Sequence, residues 1–500
     1  MIMLKINRFF DKNVYLILSF LVLTGLFMRI YNFEKSFLFA HDHDLYSWIA
    51  KDIIVNKHVR SVGQITSVDG VFIGPLYYYI MAISYLMSNM NPISAIGPTT
   101  IIGLSTIISF YFLGKKYFSK RVGLIMAFIY AVSFGCAIYD KWSVPTEPAI
   151  LWSVWFLYVI LGMFRNNLKL IPLYAVLVGL TYHIHIALLP VLPLPILAYF
   201  LSKGNFREKL KQIKFRNVFI SLLFFFLVSS PFWIFEIKHN FSQVRSVIVA
   251  SKKDLGNPTG FIKFKKVINA SSWEMQQRLI NQWPIKPFEI IWPIFILITF
   301  MVYIYKKLDK KEIFLFGLWI FMIGLAQFTS KRIVSEYYFT NYIPIFVLMI
   351  GLLFDLFFDH KYFSKIALSL GVLYFIFNFI WLFKNSDLND SYFYKKELVE
   401  FIKQDQIVNN YPCIGINYIS KFGDGVGFRY LFWYKGIKII KPSNSVPTYN
   451  VVIPWEISGD EIDMKVGRFG VILPAQKKAS SIEWCNDINN EIDPLLGYVE

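Results

Sequence analysis

Cysteine is close to absent from this chain, with three in 500 residues. No Cys-x-x-Cys pair occurs, which excludes a zinc–thiolate site. Cys136 lies in an apolar run, and Cys413 and Cys485 lie near the C-terminus, where they are read as free thiols rather than a disulfide. Acidic residues are also scarce, 33 against 51 Lys and Arg, and charged residues make up only 17% of the chain. The phosphate-binding pattern G-x-x-x-x-G-K-[ST], the dinucleotide pattern G-x-G-x-x-G and the zinc-protease pattern H-E-x-x-H are all missing, so soluble nucleotide-binding units and zincin chemistry are not expected. No internal repeat occurs, and no low-complexity linker beyond Asn385–Asp390. The apolar run Val14–Met28 has no small-residue cleavage site after it and reads as an anchor rather than a signal peptide.

What the chain does have is hydrocarbon. Hydrophobic residues make up 56%, mean hydropathy is +0.48, and Phe (50) and Tyr (30) are abundant. One soluble core cannot bury that many helices apolar on all sides, so the composition predicts a polytopic membrane protein with aromatic belts. Runs long enough to span fall at 14–32, 95–113, 122–138, 148–164, 170–186, 187–202, 217–235, 287–305, 313–329, 337–357 and 366–384. The net charge of +18 does not point to nucleic acid, because Lys and Arg gather in short loops between these runs.

Loop charge sets the expected orientation. The proposed inner segments (1–13, 114–121, 165–169, 203–216, 306–312 and 358–365) hold 21 Lys/Arg in 55 residues. The proposed outer ones (33–72, 139–147, 183–186, 236–286 and 330–336) hold 16 in 111. That asymmetry places the N-terminus in the cytoplasm. Loop 114–121 is inner as well, so an even number of crossings separates it from the N-terminus. The run 73–90 therefore does not cross, and reads as a helix along the outer interface anchored by Tyr77, Tyr78, Tyr79 and Tyr85.

The expected fold is thus all-α and polytopic, with about eleven transmembrane helices in residues 1–384. Residues 385–500 form a small extracytoplasmic α/β domain. In that tail 395–404 reads as an amphipathic helix, Cys413–Ile416, Ile437–Ile440 and Val451–Ile453 as short strands, and Gly423-Asp424-Gly425 as a turn. Ile407-Val408 fits either the end of the helix or another strand.

Polar residues converge at the outer ends of the runs: Asp42 and Asp44, then Asp140, Lys141 and Glu147, then His183 and His185, then Glu236, Lys238 and His239, then Arg332, Glu336 and Tyr337. Few lie deep inside, whereas an ion-coupled transporter should carry ionisable groups near the midplane. Chemistry at one surface suits a lipid-linked substrate, whose polyprenyl tail lies in the bilayer and whose phosphate lies at the interface. Transfer from such a donor needs a carboxylate to take the acceptor's proton, a cation for the departing phosphate and a groove for the tail. A phosphate leaving group needs no general acid. The clusters His41–Asp44 and His183/His185 could also hold a divalent metal, with Asp42, Glu147 and His185 as candidate ligands.

This pattern resembles the GT-C glycosyltransferases of the protein O-mannosyltransferase and aminoarabinose transferase type. The resemblance lies in Asp42 just after the first helix, and in Gly74-Pro75-Leu76-Tyr77-Tyr78-Tyr79 opening the second of two interfacial helices. It extends to Glu147 before the fourth spanning helix, His185, Pro231–His239, and Glu336–Phe339 leading into Tyr342-Ile343-Pro344, and covers about residues 14–380. The eukaryotic mannosyltransferases' Asp-Glu pair is replaced here by Asp42-His43-Asp44. The resemblance implies a membrane glycosyltransferase of the cell envelope. It would use a polyprenyl-phosphate sugar donor, invert at the anomeric carbon and serve a lipid, glycan or protein acceptor outside the cytoplasm. Asp42 is the expected base and Asp44 the second choice. Tyr77, Lys141, Glu147, His185, Arg332 and Tyr337 are the expected substrate-binding residues, with Lys141 and Arg332 on the donor phosphate. A flippase of lipid-linked glycans and a metal-dependent lipid-phosphate hydrolase are the alternatives.

Overall fold

The structure is a computed structural model that describes residues 12–492, apart from 67, 253–258, 282–286, 422–426, 460 and 476–477. The turn expected at Gly423-Asp424-Gly425 lies outside the described residues.

Each of the eleven apolar runs forms helix. The first is Val14–Ile30 and the last Lys361–Asn385. Among the described residues, four helices are long and apolar enough to cross a membrane, or six if each of two bent pairs is one span, and five shorter apolar helices accompany them. Interruptions fall where the sequence supplies a reason. The run 122–138 breaks at Ser133, whose hydroxyl accepts from Cys136 N–H and caps Phe134–Tyr139. The run 217–235 bends by 62° between Phe215–Val228 and Ser230–Lys238, at Pro231, which removes a helical N–H. Around Pro190 and Pro193 the chain takes a 3-10 turn, Ile186–Val191, before Leu194–Leu201.

The bundle packs around Ala149–Phe164, Lys120–Val132 and Ile343–Phe358, whose buried faces meet Trp319 and Tyr342. Ile96–Tyr117 and Lys120–Val132 lie especially close, because Gly114 faces the backbone of Gly123 and a Cβ there would collide with it. Their connection is capped by the Ser119 hydroxyl, which accepts from Val122 N–H at 3.1 Å. Beside this loop Arg121 bonds Asp355 and Asp359, each at 2.5 Å, and Lys307 bonds the same pair at 2.8 and 3.0 Å. The network ties the helices Lys120–Val132 and Ile343–Phe358 to the loop after Ile304, at one end of the bundle. Lys361–Asn385 buries few residues and shows Leu368, Leu373 and Ile376 outward, as a helix solvated by lipid does. Between it and the bundle lies an apolar cavity of about 600 Å³, lined by Leu21, Ile125, Phe346, Ile350, Phe354 and Gly371 among others.

Residues 73–90 form a short helix, Leu76–Met87, preceded by a second non-bundle helix, His41–Val55. Three consecutive tyrosines pin this region. Tyr77 shares a hydrogen bond with Ser143 at 2.6 Å, Tyr78 accepts from Gln64 N–H at 3.0 Å, and Tyr79 bonds both backbone groups of Arg60.

The tail carries a helix, Tyr392–Val408, that continues through Ile407-Val408. It packs on a five-stranded mixed sheet of order β2-β1-β3-β5-β4: β1 Ile414–Ser420, β2 Ile439–Ile440, β3 Thr448–Ile453, β4 Met464–Val466 and β5 Phe469–Ile472. β2, β1 and β3 run parallel, while β5 and β4 are antiparallel additions that the sequence did not announce. One expectation is overturned: Cys413 and Cys485 form a disulfide. Both are buried with Ile440 and Val446, so the fold brings together two residues that spacing alone left unrelated. The tail packs against the helices that precede it. Its Leu398, Tyr430 and Tyr449 share one core with Phe37, Tyr46 and Tyr77 of the non-bundle helices, so packing is continuous across the expected boundary at 384/385.

Candidate active site

The helix His41–Val55 sets the geometry. Asp42 and Asp44 stand in its first turn, where the helix dipole favours negative charge. Two residues along a helix turn the side chain by about 200°, so the two carboxylates face opposite ways. Asp44 is buried and accepts from Tyr430 N–H of the tail at 2.8 Å. Burial pushes its pKa up to about 7 against that hydrogen bond and the charges of Lys395 and Arg429. Asp44 is therefore engaged by the tail and turned away from Asp42's surroundings. Asp42 is open to solvent, yet protein walls around it raise its pKa above the ordinary carboxylate value by desolvation, with His41 acting the other way. Tyr46, Tyr78 and Tyr337 lie within its electrostatic reach. Asp42 is thus accessible to water but partly desolvated.

The group that includes Tyr337 is aromatic. Tyr337, on the turn Glu336–Tyr342, donates to the Tyr338 hydroxyl at 3.0 Å, and His185 sits against both rings at 5.9 and 5.1 Å. Burial lowers the His185 pKa to about 4, so its imidazole is neutral, and its Nδ1 accepts from Ala187 N–H. His183 points elsewhere. Its Nε2–H donates to Val228 O at 2.8 Å and its Nδ1 accepts from Leu76 N–H at 3.3 Å, a brace between helices. Gly74 must be glycine beside this brace, since a Cβ would strike Tyr182 and His183.

Tyr46 stands edge-on to Tyr77 at 6.1 Å, with Glu147 within electrostatic reach of Tyr77. Glu147 is 1% exposed, and neither of its oxygens has a hydrogen-bond partner among the described residues. Burial, reinforced by Asp140, raises its pKa well above the usual value, which favours the neutral carboxylic acid. Asp140 in turn is held by Arg29 (Nε 2.8 Å, Nη2 2.5 Å) and the Tyr130 hydroxyl (2.8 Å). Arg29 escaped the sequence analysis, although a charge inside an apolar helix is itself a signal. So did the buried pair Glu274–Arg278, spaced i,i+4, whose guanidinium covers the Tyr139 ring at 4.4 Å.

The expected cations fare differently. Lys141 is buried, and its ammonium is spent on Tyr31 O (3.0 Å) and Ser36 Oγ (2.9 Å) at the end of the first helix. Burial, then Arg29, lowers its pKa to about 7. It is placed as a structural tie rather than a phosphate ligand. Arg332 is half-buried. Its backbone is fixed by Lys263 Nζ on its carbonyl and by Ser330 Oγ on its N–H, and its guanidinium has no partner among the described residues. Among the described residues, no three His, Cys, Asp or Glu side chains come together to hold a metal ion. Asp42, Glu147 and His185 thus do not fit as a ligand set.

Residues 73–235 match the family model described as dolichyl-phosphate-mannose-protein mannosyltransferase. No curated protein sequence matches the chain significantly. The structure resembles ArnT from Cupriavidus metallidurans bound to undecaprenyl phosphate, with TM-score 0.56 and 10% identity over 94% of this chain and 99% of that one. It resembles the same protein in the apo state, with TM-score 0.50 and 10% identity over 92% and 97%. The Archaeoglobus fulgidus oligosaccharyltransferase in complex with Zn and sulfate gives TM-score 0.49 and 12% identity over 87% and 68%. The fold is therefore of the ArnT-like GT-C type. Family match and fold together indicate a membrane glycosyltransferase of that class.

Proposed function

We propose that this protein transfers a sugar from a polyprenyl-phosphate donor to a hydroxyl acceptor on the extracytoplasmic side, with inversion. One observation carries the reading: Asp42 is the first-turn carboxylate left open to solvent, while Asp44 two residues on is buried against Tyr430 N–H. The matched family is described by a dolichyl-phosphate-mannose donor, and ArnT is described bound to undecaprenyl phosphate.

Asp42 takes the proton as the acceptor oxygen attacks the anomeric carbon. The bond from that carbon to the phosphate oxygen breaks, and its electron pair leaves with the polyprenyl phosphate. Arg332 faces the charge that develops on the phosphate. Glu147, buried within electrostatic reach of Tyr77, does not itself reach the sugar, and His185, Tyr77 and Tyr337 shape the surroundings. The apolar cavity takes the isoprenoid tail. From Phe346 to Phe358 it follows about 18 Å of helix, at 1.5 Å per residue. Loop charge supports a cytoplasmic N-terminus and eleven crossings. A disulfide in the tail suits an oxidising exterior.

The test is to give membranes radiolabelled undecaprenyl-phosphate mannose and other undecaprenyl-phosphate sugars. Label moving to an acceptor supports transfer. Label released to water points to a hydrolase, and label that only changes leaflet points to a flippase. Asp42→Asn is expected to abolish transfer with folding intact, and full activity in that variant removes Asp42 from the mechanism.

A further inference from the structure

The tail touches the helix that carries Asp42 at its first turn. Tyr392 N–H bonds Phe37 O at 2.8 Å, bringing the tail helix alongside the approach to that turn. Gly427 lies flat on the Ala40 carbonyl, and a Cβ at Gly427 would overlap it and press on His41 N. Tyr430 N–H holds Asp44. Lys395 is 1% exposed. Its ammonium reaches Gly427 O at 3.4 Å, stands over the Phe428 ring at 4.6 Å and lies within electrostatic reach of Asp44. The tail thus grips positions 40 and 44, on either side of Asp42, and leaves Asp42 itself free.

The grip acts on a helix start that has no side-chain cap of its own. Its N-cap is Ala40, which has no side-chain oxygen to accept from the free N–H groups of the first turn. Within the helix only His43 helps, its Nδ1 accepting from Ala40 N–H at 3.2 Å. Left alone, such a turn frays and rotates.

We infer that Gly427–Tyr430, braced by Lys395, is a positioning element for Asp42, so that the C-terminal domain is part of the catalytic apparatus rather than an appendage. The inference rests on the reading of Asp42 as the base. The leverage is large: turning the helix by about 20° moves a carboxylate roughly 6 Å from its axis by about 2 Å, and about 1 Å of misplacement can cost on the order of 100-fold in rate.

The experiment uses the full chain in nanodiscs and does not depend on turnover. A water-soluble carbodiimide with an amine nucleophile modifies protonated carboxyl groups, and mass spectrometry follows Asp42 from pH 5 to 8, with exposed Glu208 as the internal reference. In Asp44→Ala and Gly427→Ala the labelling rate at Asp42 should change at least threefold and its pH midpoint should move, with Glu208 unchanged. Lys395→Met should do the same, and Lys395→Arg should keep the wild-type profile. An Asp42 rate and midpoint equal to wild type in protease-resistant Asp44→Ala protein overturns the inference. Asp44→Ala removes the acceptor of Tyr430 N–H and carries the test where Gly427→Ala does not fold. Failure of the base assignment shows separately, as transfer that persists in Asp42→Asn.

Discussion

Glu147 makes the sharpest physical test of the site. It is buried with both oxygens unpartnered, so the structure tolerates it as the neutral acid and not as the anion. An unfolded glutamate loses its proton near pH 4.3, whereas burial raises the folded group well above that. Between those two values the unfolded chain has released a proton that the folded chain keeps. Stability therefore falls as pH rises through that window, by up to about 1.4 kcal/mol per pH unit. Over two pH units inside it, that amounts to at most about 2.7 kcal/mol. An unfolding entropy of about 2.1 cal/mol/K per residue over 500 residues makes 1 kcal/mol worth about 1 °C, so the expected loss is at most about 3 °C in Tm. Glu147→Gln keeps the shape and has no proton to lose. Tryptophan-fluorescence melts of both proteins at pH 5.5 and 7.5 isolate the effect, since every other titrating group is common to them. The variant should gain up to about 3 °C on wild type between the two pH values. Equal pH dependence, or a variant that suffers more at the higher pH, refutes a neutral Glu147.

The buried pair Arg29–Asp140 should behave asymmetrically: Arg29→Met alone costs about 3–5 kcal/mol, while Arg29→Met with Asp140→Leu recovers most of it, as denaturation of the single and double variants reports. Reducing Cys413–Cys485 opens a loop of 72 residues and should cost the tail about 4 kcal/mol, seen as lost protease resistance after dithiothreitol. Gly371 lines the apolar cavity with open space where its Cβ would be. Gly371→Phe should therefore weaken binding of undecaprenyl phosphate about tenfold while leaving Tm unchanged, and unaltered binding would place the isoprenoid elsewhere.

The helical architecture was legible because lipid enforces it. A chain in hydrocarbon must satisfy its backbone internally, so every long apolar run becomes helix. The expected 14–32 and 337–357 appear as Val14–Ile30 and Ile343–Phe358. Parity of crossings kept 73–90 out of the count, and a 12-residue helix pinned by Tyr77, Tyr78 and Tyr79 stands there. The tail was harder. Met464–Val466 and Phe469–Ile472 are three and four residues long, too short for an alternating pattern, and gain strand character by pairing with each other and with β3. The disulfide left no trace in the sequence, because its cysteines meet only once β1 and Ile482–Asn486 are in place.

For the site, the sequence showed which residues reach the outer ends of the helices but not which of them are already spoken for. Asp42 and Asp44 look interchangeable as letters, yet helical rotation sends one to water and the other to a backbone amide 386 residues away. Lys141 looks like a free cation beside a phosphate site, yet a carbonyl and a hydroxyl from the region of residues 31–36 claim it. Arg29 looks like the end of a span, yet it fixes Asp140, 111 residues on, behind Glu147. A charge can serve a substrate only where the fold does not pair it, and the pairing partners here are remote in sequence. Of the expected charged groups, Asp42 and Arg332 carry no side-chain hydrogen bond among the described residues, while burial favours the neutral form of Glu147. On the proposed reading, a base and a cation are what attack on a sugar phosphate requires, and a transporter of the same glycan would have no use for the first of them.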